Sequence, residues 1–262
     1  MLLVSSSSFE NSLATKLTVM TNINQLLKDF ERFAYGQSLS SAFTELLDWT
    51  LLSFKWFESG DEQRAAFETF RMHKKVDQLT SLIAAIGDLS EHYCDPLGEL
   101  FMQAISSGHN GQFFTPEPLC DMMTTMTIGE NSKPNQTICD PACGSGRMLL
   151  SAAKINRDAR FYGADLDITC CKMALINMLF NSLHGEIAHM NTLSNLFFTG
   201  YKVCTTLIDT HHVPYYIEFT DPEQSYICLH DLKANNSKSA FDTPFQPVRS
   251  AQPFNGVQGS LF

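Results

Sequence analysis

Between an apolar run, Thr137-Ile138-Cys139, and a helix-spaced one, Met148-Leu149-Leu150-Ala152-Ala153, stands Asp140-Pro141-Ala142-Cys143-Gly144-Ser145-Gly146. Strand, tight glycine turn and helix start in that order constrain this chain more than any other feature. Glycine lets backbone approach a ligand closely, and the first N–H groups of a helix have no partner inside it. The pattern therefore reads as a cradle for a nucleotide-type ligand. Asp140, at the strand end, suits ammonium or hydroxyl groups. A second carboxylate, Asp165, follows strand-like Phe161-Tyr162-Gly163-Ala164. In a βαβ unit an acid about 20 residues beyond the glycines meets ribose hydroxyls. By spacing alone, a dinucleotide such as NAD remains an alternative occupant.

The flanking sequence agrees with an α/β unit. Thr115 and Pro116 form a favourable helix entry, and the helix is expected through Leu119, Met122, Met123 and Met126. After the first strand and the Asp140 turn, a helix should run to about Ile155. A longer one covers Met173, Ile176, Leu179 and Leu183, with Gly185 as its C-cap. Glu186–Met190 reads as a third strand and Val203–Ile208 as a fourth. Upstream, apolar residues recur at spacings of three and four: Leu26, Leu27, Phe30, Phe33, then Phe43, Leu46, Leu47, Trp49, then Val76 to Leu89. No strand signal interrupts them. The expected organisation is a disordered leader (1–20), a helical domain (21–108), an α/β domain (109–232) and a polar, flexible tail (233–262). Phe54, Trp56, Phe57, Phe67 and Phe70 are read as core.

Composition narrows the function classes. A hydrophobic fraction of 44% and a charged fraction of 18% describe a globular chain. No run reaches membrane-spanning length, and the start lacks the basic and apolar regions of a signal peptide, so a cytoplasmic location is expected. Eight cysteines are scattered without a C-x-x-C pair. They read as reduced fillers, with Cys139, Cys143, Cys170 and Cys171 buried, and no metal site is expected. A net charge of −10 argues against a free-standing, tight DNA binder. The densest basic run, Arg71 to Lys75, is read as a solvated helix end.

The letters say more than the spacing. Asp-Pro-x-Cys-Gly-x-Gly resembles the first motif of the N6-adenine DNA methyltransferases, and above all that of the modification subunit of type I restriction-modification systems. Gly111-Gln112-Phe113-Phe114-Thr115-Pro116 resembles the family's G-Q-F-[FY]-T-P signature, in the right order and at about the right distance. Asp95-Pro96-Leu97-Gly98-Glu99-Leu100-Phe101 resembles the helix before it. The resemblance implies a Rossmann-like S-adenosylmethionine-dependent methyltransferase fold preceded by a helical domain. It implies S-adenosylmethionine as cofactor, held by Asp140, Pro141, Ala142, Gly144, Ser145 and Gly146. Gln112, Phe113, Phe114, Thr115 and Pro116 would close over it, and Asp165 and Leu166 would take the ribose side. Asn191 stands where the family has an aspartate for the adenine amine, which its carbonyl would accept. The implied partner is DNA, reached through a specificity subunit.

The resemblance breaks at the transfer motif. Methylating an exocyclic amine needs a polar acceptor and an aromatic face for the flipped base. The family supplies both in Asn/Asp-Pro-Pro-Tyr/Phe, a tetrapeptide this chain lacks. His212-Val213-Pro214-Tyr215 is nearest, with Pro214 and Tyr215 as the catalytic candidates. The late strands of a complete sheet also lack sequence, so a partial sheet is expected. Two functions follow: a methyltransferase subunit that needs partner chains, or a cofactor-binding module without transfer that recruits other proteins. The terminal Gln258-Gly259-Ser260-Leu261-Phe262 resembles the Q-x-[SD]-L-F peptide that docks on the sliding clamp, through Gln258, Leu261 and Phe262.

Overall fold

The structure is a computed structural model and describes residues 22–105, 114–129, 133–208 and 211–229. The leader, Gln112 and Phe113 of the first signature, and the tail with Gln258, Leu261 and Phe262 lie outside the described residues.

The first part is helical, as its periodicity requires. Helix α1 covers 22–33, followed by α2 (Leu39–Leu52), α3 (Gly60–Arg71), α4 (Val76–Leu89) and α5 (Pro96–Ala104). Three starts carry side-chain caps: Ser38 accepts from Ser41 N–H, Ser59 from Glu62 N–H, and Asp95 from Gly98 N–H. Each satisfies one of the N–H groups a helix start leaves open. Phe30, Phe33, Phe43, Leu46, Leu47, Leu79, Leu82 and Ile86 are buried where these helices meet. Of the five aromatics read as core, Phe70 is buried, while Trp56 is partly exposed with its ring 5.1 Å from that of Tyr215. In the basic run Arg71 does end α3, but His73 turns inward to Glu45 at 2.7 Å.

From Glu117 the chain alternates: α6 (Glu117–Ile128), β1 (Thr137–Asp140), α7 (Arg147–Ile155), β2 (Arg160–Asp165), α8 (Ile168–Phe180) and β3 (His184–Asn191). β1, β2 and β3 pair in parallel, the arrangement that helical crossovers produce. The chain then doubles back through β4 (Leu196–Ile208), antiparallel to β3, and returns through β5 (His211–Phe219), antiparallel to β4. The sheet order is β1-β2-β3-β4-β5. This is the expected Rossmann-like α/β fold with a partial sheet. β1 has no strand on its outer side among the described residues. The outer side of β5 is met by the link after α2, where Trp56 N–H bonds Tyr216 O and Tyr216 N–H bonds Phe54 O, both at 3.0 Å.

Helix α8 joins the two parts. Met173 to Leu179 are buried without a break, so this helix has no solvent face. A helix apolar all round must lie inside. One cluster of buried residues runs from Ile23 through Phe43, Leu97 and Phe161 to Tyr216. The helical segment and the sheet therefore share this core, while Ala164, Ala188, Met190 and Cys228 form a smaller, separate cluster.

Several local expectations need correction. Helix α8 stops at Asn181, well before Gly185, which lies inside β3. Gly185 is required there because a Cβ would meet the Phe161 carbonyl oxygen at 1.7 Å. Strand β4 starts at Leu196, seven residues before the expected Val203, because Leu196–Gly200 pairs with the end of β3. Cys139 is exposed, since β1 forms the edge of the sheet, whereas Cys143, Cys170 and Cys171 are buried. Helix α6 begins one residue later than expected: Pro116 is the N-cap, without a side-chain cap. The apolar residues that mark it face out. Leu119, Met122, Met123 and Met126 are exposed, and Cys120 and Thr124 are the buried residues.

Candidate functional site

The parallel strands bring their C-terminal ends together, and the sequence-predicted acids lie there. Asp140 ends β1 and Asp165 ends β2. Between β1 and α7 the chain makes a tight turn in which Gly144 has φ +53° and Gly146 has φ +87°. Both values lie in the left-handed region that only glycine adopts freely. Gly146 is also the N-cap of α7, so no side chain covers the first N–H groups of that helix. They face the turn with the positive end of the helix dipole.

The carboxylates are held by backbone. Asp140 Oδ1 accepts from Ala142 N–H at 3.1 Å. Asp165 Oδ2 accepts from Gly144 N–H at 2.9 Å, and Oδ1 from Asp167 N–H at 2.9 Å. Each Asp165 oxygen thus spends one lone pair and presents the other to a ligand donor. Burial pushes the Asp140 carboxyl above the usual carboxylate range, the Ala142 N–H pulls it back, and the nearby Asp165 charge adds to the rise. A cation placed here would relieve that cost. Burial also raises the thiols of Cys143, Cys170 and Cys171, which leaves them protonated and inert.

Neighbouring segments complete a shallow site. Phe114 lies against the turn so closely that a Cβ on Gly144 would come within 2.9 Å of its ring. Thr192 donates to the Pro141 carbonyl at 3.1 Å and ties the loop after β3 to the motif turn. Leu166 and Leu193 are exposed at the ends of β2 and β3, apolar surface suited to a base. Asn191 is close by, but its side-chain carbonyl accepts from Leu193 and Ser194 N–H at 3.1 and 3.2 Å. The acceptor that the sequence assigns to an adenine amine is committed to a turn. The residues present fit S-adenosylmethionine: acids for the cationic and ribose parts, an open helix N-terminus for a carboxylate, and apolar side chains for the purine.

Pro214 and Tyr215 are not part of this constellation. They follow the fourth strand, as expected, but lie within a fifth, β5. Across the sheet Tyr216 aligns with Val203, Gly185 and Phe161, so Tyr215 is level with the first residue of β2. Asp165 is at the other end of that strand, about 16 Å away at about 3.3 Å per residue. Burial and the Cys204 thiol raise the Tyr215 phenol to about 12. The proline and the aromatic thus stand in paired backbone, opposite Thr205 and Cys204.

Sequence reasoning missed the support beneath the turn. Arg147, buried at the first position of α7, bonds Asp95 Oδ2 through Nε at 2.6 Å and Glu99 Oε1 through Nη2 at 2.6 Å. Desolvation lowers the guanidinium pKa, but the charges of Asp95 and Glu99 outweigh it, and the net shift is upward. A signal was available. A cation at a helix N-terminus opposes the dipole, so Arg147 directly after the glycine turn demands an acidic partner.

Residues 90–219 match the N-6 DNA Methylase family. Over 153 residues the chain is 24% identical to the Type I restriction enzyme MpnII methylase subunit of Mycoplasma pneumoniae, covering 54% of this chain and 28% of that protein. The crystal structure of the type I restriction-modification system methyltransferase subunit from Streptococcus thermophilus is 14% identical, with a TM-score of 0.37 over 68% of this chain and 59% of that one. A Listeria monocytogenes protein described as a class I S-adenosylmethionine-dependent methyltransferase is 15% identical, with a TM-score of 0.42 over 65% of this chain and 52% of that one. The chain thus spans less than two thirds of each relative. Among the described residues no helix is long and apolar enough to cross a membrane.

Proposed function

We propose that this chain, which belongs over residues 90–219 to the N-6 DNA Methylase family, binds S-adenosylmethionine at the C-terminal ends of β1, β2 and β3. It would serve as the cofactor-holding component of an adenine-methylating, restriction-modification assembly on DNA. The observation that carries this reading is the pairing of Asp165 with the Gly144 turn, which presents a carboxylate beside a helix start free of side-chain caps.

When bound, the cofactor would supply an activated methyl group on a sulfonium. Asp140 would offset its positive charge, Asp165 would accept from ribose hydroxyls, and Phe114 would limit water from the turn side. The chain lacks Asn/Asp-Pro-Pro-Tyr/Phe, and Tyr215 lies at the wrong end of the sheet. Base extrusion and amine acceptance would therefore come from outside this site. The same facts favour a second reading, a cofactor-binding module without transfer.

Calorimetric titration with S-adenosylmethionine and with S-adenosylhomocysteine tests the first claim. Micromolar binding is expected, and no heat with either would remove it. Labelled methyl transfer to unmethylated DNA, with and without a cognate specificity subunit, separates the two readings. Transfer only with the partner supports a subunit, and cofactor binding without transfer in either case supports the second reading.

A further inference from the structure

We infer that Asp95 and Arg147 are positioning residues. They set the glycine turn and the Phe114–Thr115 segment in register with each other, and the affinity of the site depends on this pair rather than on cofactor contacts alone. The inference deepens the proposed function and rests on it for the ligand.

Asp95 is the N-cap of α5 and is nearly inaccessible to solvent, yet it spends little of itself on that helix. Its Oδ1 accepts from Gly98 N–H at 2.8 Å and from Asn177 Nδ2 at 2.7 Å. Its Oδ2 accepts from Ser145 Oγ at 2.5 Å and from Arg147 Nε at 2.6 Å. Two of these four donors belong to the residues flanking Gly146. Asn177, on α8, also donates to the Ser145 carbonyl at 2.9 Å. Both of its amide donations thus go to one side, and its own Oδ1 is left buried with no hydrogen-bond partner among the described residues. Sequence permits nothing bulkier at the floor of this network: a Cβ on Gly98 would come within 2.0 Å of the Asp95 carboxylate and 2.8 Å of Ser145 Oγ.

Arg147 extends the network to the other wall. Its Nη1 donates to the Thr115 carbonyl at 3.4 Å, and its guanidinium carbon lies 5.8 Å from the centre of the Phe114 ring. Phe114 in turn rests on Gly144 and on Phe101 of α5. One buried cation therefore touches α5, the turn and the segment above the turn. A buried ion pair is weak evidence for stability, because apolar replacements of both partners are often tolerated. Its arrangement around a ligand cradle instead fits the need to hold such a site to within a fraction of an ångström.

The test compares wild type with Asp95→Asn/Arg147→Met, which removes both charges of the buried pair and leaves Glu99, whose side chain is half exposed, to solvent. Arg147→Lys, which keeps the charge but not the fork, is measured beside it. Thermal unfolding without ligand reports structure alone. Calorimetry with S-adenosylhomocysteine, well below each Tm, reports the site. The expected result is a double variant that folds but binds about tenfold or more weakly, with Arg147→Lys between the two. Wild-type affinity in a folded double variant would overturn the inference, whatever its Tm.

Amide hydrogen exchange on the ligand-free proteins supplies a readout that needs no cofactor. Faster exchange at 143–146 and at 114–120, with α2 and α4 unchanged, is expected for the double variant and for Arg147→Lys. Unchanged exchange in those two segments would overturn the inference. If wild type binds neither cofactor form, the proposed function fails, and the exchange experiment still decides whether the pair positions the two segments.

Discussion

The backbone N–H of Gly144 donates to Asp165 Oδ2 at 2.9 Å, so the turn after β1 is fastened to the carboxylate that ends β2. A side chain read from sequence as a ligand acceptor is also part of the turn's own architecture. Its removal should act on both.

Asp165→Ala leaves the Gly144 and Asp167 N–H groups without their acceptors and removes the ribose contact. A loss of about 1–3 kcal/mol in S-adenosylhomocysteine binding is expected, the cost of hydrogen bonds left unmade. Titration calorimetry measures it. An affinity equal to wild type would show that the ribose does not meet Asp165.

Gly144→Ala forces a side chain into φ +53° and against the Phe114 ring. The expected destabilisation is about 1–2 kcal/mol from backbone strain, with a further steric part. Denaturant unfolding of Gly144→Ala, Phe114→Ala and the double variant resolves the two as a cycle. The double variant should recover the steric part only.

Asp140 makes stability depend on pH in a stated direction. Its carboxyl is raised in the folded state by burial, so the folded protein binds this proton more tightly than the unfolded chain. Stability from this group is therefore full below the unfolded carboxylate pKa and falls as pH rises through the folded one. Asp140→Asn should raise Tm at pH 7 in the absence of ligand, with the difference closing as the medium is acidified. The same variant should weaken binding of the cationic cofactor more than that of its neutral-sulfur product. A fall in Tm at pH 7 would contradict the assignment.

The outward stripe on α6 gives the plainest stability contrast. Met126→Lys, at a position 79% exposed, should change unfolding free energy by no more than about 0.5 kcal/mol. Leu46→Ala, at a position with no exposure, should cost about 2–5 kcal/mol. Equal effects would mean that α6 is covered in solution.

These cases also show what the sequence could and could not reveal. The Asp140 turn, Asp165 and the helical run upstream were legible because each rests on short-range chemistry: glycine where φ is positive, a carboxylate at a strand end, apolar spacing of three and four. The orientation of α6 was not, because periodicity identifies a stripe but not what lies opposite it. The strand that holds Pro214 and Tyr215 was hidden for the same reason. Whether a proline and a tyrosine lie in a loop or within a strand depends on pairing with Thr205 and Cys204, which is set by the sheet. The role of Asp95 beneath the turn was not legible because its partners Ser145 and Arg147 lie some 50 residues away in sequence.

The core shared by the helices and the sheet has a consequence for how such a protein could be taken apart or borrowed. Leu26, near the start of the described chain, and Tyr216, on the outermost strand, belong to one buried cluster, with α8 between them. The helices are therefore not a cassette that recombination could exchange for another while leaving the sheet intact. Any substitute would have to match the surface of α8 residue for residue and also supply a strand edge for β5. Heat or denaturant should dismantle the helices and the sheet in one cooperative step, and a fragment beginning at β1 should emerge as a chain without a fold.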